Sequence, residues 1–115
     1  MARPKQKPAV AIDPATWPAS KVEMWGIDKI KNYANNPNRH TKEQIDLIAK
    51  SMADDGVTNP ILVDEKGEII FGHGRRRAAV KNGYTQYPVI VARGWTEERK
   101  RAVRIKDNQL SKLSS

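Results

Sequence analysis

The 115-residue chain contains no cysteine. That excludes disulfides, thiolate zinc sites and a catalytic thiol. No apolar run approaches the roughly 18 residues needed to cross a bilayer, and the opening MARPKQKPAV lacks the apolar stretch of a secretory signal. The expected setting is therefore the cytoplasm. Internal repeats and heptads are also missing, which excludes solenoids and coiled coils.

Charge is plentiful, and its placement says more than its total. The formal net charge is +8, from 21 Lys and Arg against 13 Asp and Glu. Residues 72 to 83 hold four bases and no acid, and residues 93 to 112 hold seven bases and three acids. These two segments account for the whole excess, so the positive field is local and suits an anionic partner such as phosphate or nucleic acid. The plainer reading of the same pattern is a solvated basic face that keeps the protein soluble.

Four prolines in the first twenty residues, with scattered charge and little periodicity, predict a flexible leader over 1–20 and one domain over 21–115. Val22 and Met24 alternating with Lys21 and Glu23 predict a short half-buried strand running into Trp25 and Gly26. Ile27 and Ile30 are apolar anchors ahead of an Asn/Pro loop. Thr41 with Gln44 forms a capping box. Ile45, Ile48, Ala49 and Met52 then give one buried helical stripe, which Gly56 ends. NPILVDEKGEIIFG reads as a hairpin turning at Glu65 to Gly67. Arg76 to Lys81 predicts a helix in which Ala78, Ala79 and Val80 pack, stopped by Asn82 and Gly83. YPVIVA is a further strand. Thr96 caps a last helix with Glu97 and Glu98 in its first turn and Ala102, Val103, Ile105 and Leu110 as its apolar face. Short strands interleaved with helices make a small α+β domain with a short mixed sheet.

The densest chemistry lies in FGHGRRRAAV, at a strand-to-helix junction where unpaired helix amides favour an anion. Gly72 and Gly74 permit a tight turn and close approach of a ligand. Arg75, Arg76 and Arg77 offer forked donors that match phosphate oxygens, although consecutive helix positions cannot all point the same way. The alternative is a glycine-bounded turn before an exposed basic helix. A Walker loop is excluded by the glycine spacing and by the lack of Lys followed by Ser or Thr.

GHGRRRAA resembles the GERRxRAA box of the ParB N-terminal domain, and residues 32 to 115 resemble the ParB/sulfiredoxin superfamily in the order of their motifs. NNPNRHTKEQIDLIAKSMADDGVTNPILV corresponds to the first box, FGHGRRRAAVKNGYTQYPVIV to the second, and IKDNQL is similar to the Glu-Asn-x-Gln segment of the third. The resemblance implies binding of a nucleotide, CTP or ATP, together with magnesium. The second box would wrap the phosphates with Gly72, His73, Gly74, Arg75, Arg76 and Arg77, while Arg39 and Asn59 of the first box close the pocket. Asp107 and Asn108 of the third would approach the metal, being hard oxygen donors suited to magnesium. Read without the resemblance, Asp-Asn late in a helix is a cap or a solvated pair.

The departures are specific. His73 replaces the glutamate of GERR and Gly74 its first arginine, so the identity of the nucleotide and its turnover are open. Without a cysteine, sulfiredoxin chemistry is excluded. His73 and Asp107 are the candidates for acid–base chemistry, in a weak NTPase or a nuclease. The GHGR and DNQL forms look most like phage or plasmid versions that precede a DNA methyltransferase. The chain ends at KLSS soon after the third box, as a stand-alone domain or part of a longer protein would. The resulting expectation is nucleotide binding in a DNA-associated system such as partition, transcription regulation or DNA modification, close to the nucleoid, with a homodimer as a possible assembly. The alternative is a basic DNA-binding adaptor that takes no nucleotide, with Arg99, Lys100 and Arg101 of the last helix contacting DNA phosphates.

Overall fold

A computed structural model describes residues 22–33 and 40–113, with side chains as far as Asp107. Arg39 of the first box and the side chain of Asn108 lie outside the described residues, as do the expected leader over 1–20 and most of the Asn/Pro loop.

Four strands form one mixed sheet: β1 (Glu23–Gly26), β2 (Ile61–Asp64), β3 (Ile69–Phe71) and β4 (Gln86–Ala92), in the spatial order β1-β4-β2-β3. β4 runs antiparallel to β1 and parallel to β2, and β2 and β3 form the expected antiparallel hairpin. Pro88 is accommodated inside β4 because the pairing with β2 begins one residue later, at Val89 opposite Ile61. Its missing amide thus falls where that side of the strand has no paired neighbour.

One sheet face is covered by α1 (Lys42–Asp55) and α2 (His73–Lys81), the other by α3 (Glu97–Leu113). Ile30, Ala49, Met52, Ile61, Val63, Ile69, Ala78, Ala79, Tyr87, Val89 and Val91 make the larger core between the sheet and the first two helices. Leu62, Ile70 and Ala92 make the smaller one beneath α3, with Trp95 and Val103 packed on it. α1 begins where the capping box predicts, with Gln44 N–H donating to Thr41 Oγ1 at 3.1 Å and Thr41 N–H to Gln44 Oε1 at 2.9 Å. The hairpin turn is closed by Asp64, whose Oδ1 accepts from the amides of Lys66 and Glu68, both at 2.9 Å.

Three expectations are corrected. β1 has the opposite facing: Met24 is 63% exposed and Val22 is also outside, while Trp25 turns to the core. Pairing of Met24 with Pro88 and of Trp25 with Tyr87 sets this register, and the alternation of residue types over four positions was too short to fix it. α2 starts at His73, one turn before Arg76, and Val80 is half exposed. The buried face of α3 is formed by Lys100, Val103 and Arg104, whereas Ala102 and Ile105 face water and the side chain of Leu110 is outside the described residues. The long aliphatic stems of Lys100 and Arg104 fill that interface and carry their charges to partners inside it.

Candidate functional site

The start of α2 is the centre of the site. Gly72 leaves β3 at φ +106 and ψ 23, a left-handed conformation in which a β-carbon would also press on Ile61 Cγ1 at 3.1 Å. This turn lets the helix begin at once, with no side-chain cap on its first amides. Gly74 is buried beneath His40: a β-carbon there would lie 3.0 Å from the imidazole Nε2.

The three arginines diverge. Arg75 lines a groove of ≈ 360 Å³ with Ser51, Met52, Thr58, Asn59 and Tyr87, and its Nη1 donates a long bond of 3.5 Å to the Pro60 carbonyl. Tyr87 fixes the opposite wall by donating its hydroxyl hydrogen to the Asn59 carbonyl at 2.9 Å. Arg76 is tied down, its Nε donating to the Ile30 carbonyl at 2.6 Å. Arg77 is exposed beside His40 and His73.

His73 is buried, only 6% exposed, and its Nε2 accepts the Tyr33 backbone N–H at 3.3 Å. Burial and the neighbouring charge of Arg104, with smaller effects from His40, Arg77 and Arg76, push its pKa down to about 4. His73 is therefore neutral near pH 7, with its hydrogen on Nδ1. A neutral imidazole is poorly placed to act as a general acid at that pH, and its Nδ1 hydrogen leaves it a donor. His40 is lowered in the same way, by burial and then by Arg77.

α3 brings Asp107 within electrostatic reach of Arg75. Burial raises the pKa of this half-buried carboxyl, and Arg75 opposes that rise. The second and third boxes therefore meet through Arg75 and Asp107. Asn108 is internal to α3, which continues to Leu113, so the Asp-Asn pair is no helix cap. Asn59 is exposed at the rim of the groove.

The expected DNA contacts separate. Lys100 is only 7% exposed; its Nζ lies 3.0 Å from Glu97 Oε1 and 3.6 Å from Asp64 Oδ2. It belongs to the join between α3 and the hairpin, and its expected DNA role is corrected on that ground. Arg99 lies over the Trp95 ring with its guanidinium carbon 3.7 Å from the centroid. Arg101 is exposed.

Two site residues escaped the sequence reading. Arg104 is 7% exposed, stacks on the Tyr33 ring at 3.8 Å, and donates from Nε to the Ile69 carbonyl at 3.1 Å. His40 covers Gly74. The spacing of Lys100, Arg104 and Asp107 at i, i+4 and i+7 was the available signal for a polar inner face of α3.

Comparison with known proteins identifies the family and the fold. The sequence pattern of the ParB N-terminal domain matches residues 13–109. Over 80 residues the chain is 44% identical to the ParB-like nuclease domain-containing protein YnaK of Escherichia coli K12, covering 70% of this chain and 92% of that protein. It is 33% identical over 94 residues to the probable chromosome-partitioning protein ParB of Rickettsia typhi, covering 81% of this chain and 33% of that protein. A C-terminally truncated ParB from Caulobacter crescentus, crystallised with CTP-gamma-S, superposes with a TM-score of 0.66 at 25% identity over 76% of this chain and 52% of its own. Sulfiredoxin from Arabidopsis thaliana shares the fold, with a TM-score of 0.60 at 21% identity over 72% of this chain and 96% of its own.

Proposed function

The chain belongs to the ParB N-terminal domain family, and from that premise we propose that it binds a nucleoside triphosphate, CTP or ATP, in a DNA-associated system. The observation that carries this reading is the position of Arg75 between the groove that ends at Asn59 and the carboxyl of Asp107. The groove takes the nucleoside, the amides at the start of α2 and Arg75 take phosphates, and Asp107 faces the metal. The Caulobacter relative complexed with CTP-gamma-S supports the choice of ligand class.

Magnesium suits this donor set, since a carboxylate whose charged form is disfavoured by burial gains from a divalent cation nearby. Asp107 would hold it, with Asn108 following on the same helix, and the ion would neutralise phosphate charge. Closure of a homodimer around bound nucleotide, and residence at the nucleoid, belong to the same proposal.

The test is calorimetric titration with CTP, ATP, GTP and ADP, with and without magnesium, on the natural chain and on Arg75→Ala. One triphosphate should bind in the presence of magnesium, and Arg75→Ala should weaken it by about tenfold or more, the scale of a lost charged hydrogen bond. Absence of nucleotide binding alongside salt-dependent binding of duplex DNA would instead support the adaptor reading, which the exposed Arg101 and Lys106 of α3 favour. A nuclease would need a cluster of metal-binding groups. Among the described residues no group of three or more His, Asp or Glu side chains is placed to hold a metal.

A further inference from the structure

The two edges of the sheet are finished differently. Beside β3 the chain at Lys31 adds a parallel bridge to Glu68, with the Lys31 N–H donating to the Gly67 carbonyl at 2.8 Å and the Ile69 N–H to the Lys31 carbonyl at 2.9 Å. β1, at the other end of the sheet, pairs with β4 alone. The Ile27 N–H donates to the Thr85 carbonyl at 2.9 Å. Alternation along an antiparallel ladder then turns the N–H and C=O groups of Glu23 and Trp25 towards β4, and those of Met24 and Gly26 outward. Pro88, which has no N–H to give, is accordingly the residue opposite Met24. Among the described residues nothing bonds to the outward groups of Met24 and Gly26. Lysine, proline and bulges, the usual guards of an open edge, are missing from β1.

The same strand carries an uncovered apolar surface. Tyr87, Val89 and Val91 of β4 face α1 and α2, so Pro88 and Ile90 face the side on which α3 packs against β3. Met24 stands opposite Pro88, and Val22, two residues earlier, shares that face beside Ile90; Met24 is 63% and Val22 54% exposed. We propose that the outer edge of β1 docks the same edge of a second copy of this chain, in an antiparallel pair centred on Met24 that joins the two four-stranded sheets into one. An open ladder of N–H and C=O groups is completed by another strand, and two identical antiparallel edges complement each other about a two-fold axis. Centring on Met24 lets the two Met24 residues exchange both backbone bonds, sets Val22 of one copy against Gly26 of the other, and merges the two apolar patches. A pairing centred on Glu23 would place two carboxylates side by side. Charge permits the approach, because the basic excess lies in residues 72 to 83 and 93 to 112, whereas residues 22 to 30 hold Glu23 and Asp28 against Lys29. Arg93, the base nearest this edge, is paired with Glu23 at 3.0 Å. So short a strand makes a small interface, and the dimer is weak, filling as the protein concentration rises. It is independent of the nucleotide reading.

Sedimentation equilibrium of the full chain at concentrations up to about 1 mM should show a monomer–dimer equilibrium that is the same with and without CTP and magnesium. Met24→Lys, at an exposed position, should weaken it by about tenfold or more, since two ammonium groups then face each other across the axis. Met24→Pro removes the outward amide, leaves the bonds to β4 in place, and should weaken the dimer comparably. Far-ultraviolet circular dichroism reports whether each variant has folded. A chain that stays monomeric throughout overturns the proposal, as does a dimer that survives Met24→Lys. A dimer sensitive to Met24→Lys but not to a folded Met24→Pro is held by apolar contact without strand pairing, and also overturns it. A dimer that forms only with CTP and magnesium belongs to the closure proposed above and counts against this edge. Should Met24→Pro not fold, amide hydrogen exchange in the natural chain decides. The Met24 and Gly26 amides should become protected as concentration rises while that of Trp25 stays constant, and exchange independent of concentration would sink the idea.

Discussion

The Tyr33 backbone N–H donates to His73 Nε2 across 40 residues of sequence, at 3.3 Å. This bond joins the segment ahead of the first box to the first residue of α2, and it holds His73 in the neutral tautomer with hydrogen on Nδ1.

A pH dependence of stability follows. The folded pKa of His73 is pushed down to about 4 from an unfolded value of 6.5. Below pH 6.5 the unfolded chain therefore binds more protons at this residue, and the stability His73 contributes at neutral pH is lost as pH falls from 6.5 towards 4. The full effect is about 3 kcal/mol. Urea unfolding at several pH values between 7 and 4 should show the natural chain losing stability faster than His73→Gln, whose amide oxygen can still accept from Tyr33. Parallel pH profiles for the two proteins would contradict the placement of His73.

The two glycines that flank His73 should respond differently to alanine. At Gly72 the positive φ is unfavourable for alanine whatever the space, and the new methyl meets Ile61, so Gly72→Ala should cost about 1–3 kcal/mol. Gly74 lies inside α2, where alanine gains about 1 kcal/mol in helix propensity, but its methyl must displace the His40 ring. Gly74→Ala should accordingly change stability by less than about 1 kcal/mol in either direction, while shifting the His40 ring resonances. Equal losses of melting temperature in the two variants would refute the distinction.

The features that were legible in the sequence are those set by local chemistry. Thr41 and Gln44 cap α1, the stripe from Ile45 to Met52 faces the core, Asn82 and Gly83 end α2, and Thr96 caps α3 through its hydroxyl at 3.1 Å from the Arg99 amide. Misread features depend on what an element packs against. The facing of β1 is set by its pairing with β4, and the early start of α2 by Gly72, whose role is conformational and leaves no capping side chain to recognise. Apolar periodicity misplaced the inner face of α3, because Lys100 and Arg104 are buried through their stems while Ile105 faces water. The FGHGRRRAAV stretch predicts an anion site, a reading that belongs to the proposed function; the divergence of Arg75, Arg76 and Arg77, and the stacking of Arg104 from α3 on Tyr33, required three-dimensional placement.

That distinction between stem burial and exposed charge separates neighbouring bases on α3. Lys100 is engaged by Glu97 and Asp64 inside the protein, and the Glu97 hydrogen bond, assisted by the Asp64 charge, raises its pKa despite its burial. Asp64 in turn closes the β2–β3 turn through its other oxygen, so Lys100 links α3 to the hairpin. Lys100→Met should then cost about 1–3 kcal/mol of stability, the penalty of leaving a buried charged group without its partner. Its effect on any binding to duplex DNA should be small in the fraction that remains folded. Arg101 is exposed, so Arg101→Ala should leave stability within about 0.5 kcal/mol. If α3 touches DNA phosphates, the same variant should reduce the slope of log affinity against log salt by about 1. Chemical denaturation and salt-dependent fluorescence titration of both variants check the pair. A stable Lys100→Met protein with a reduced salt slope would return Lys100 to the DNA surface and contradict the inward turn of its side chain.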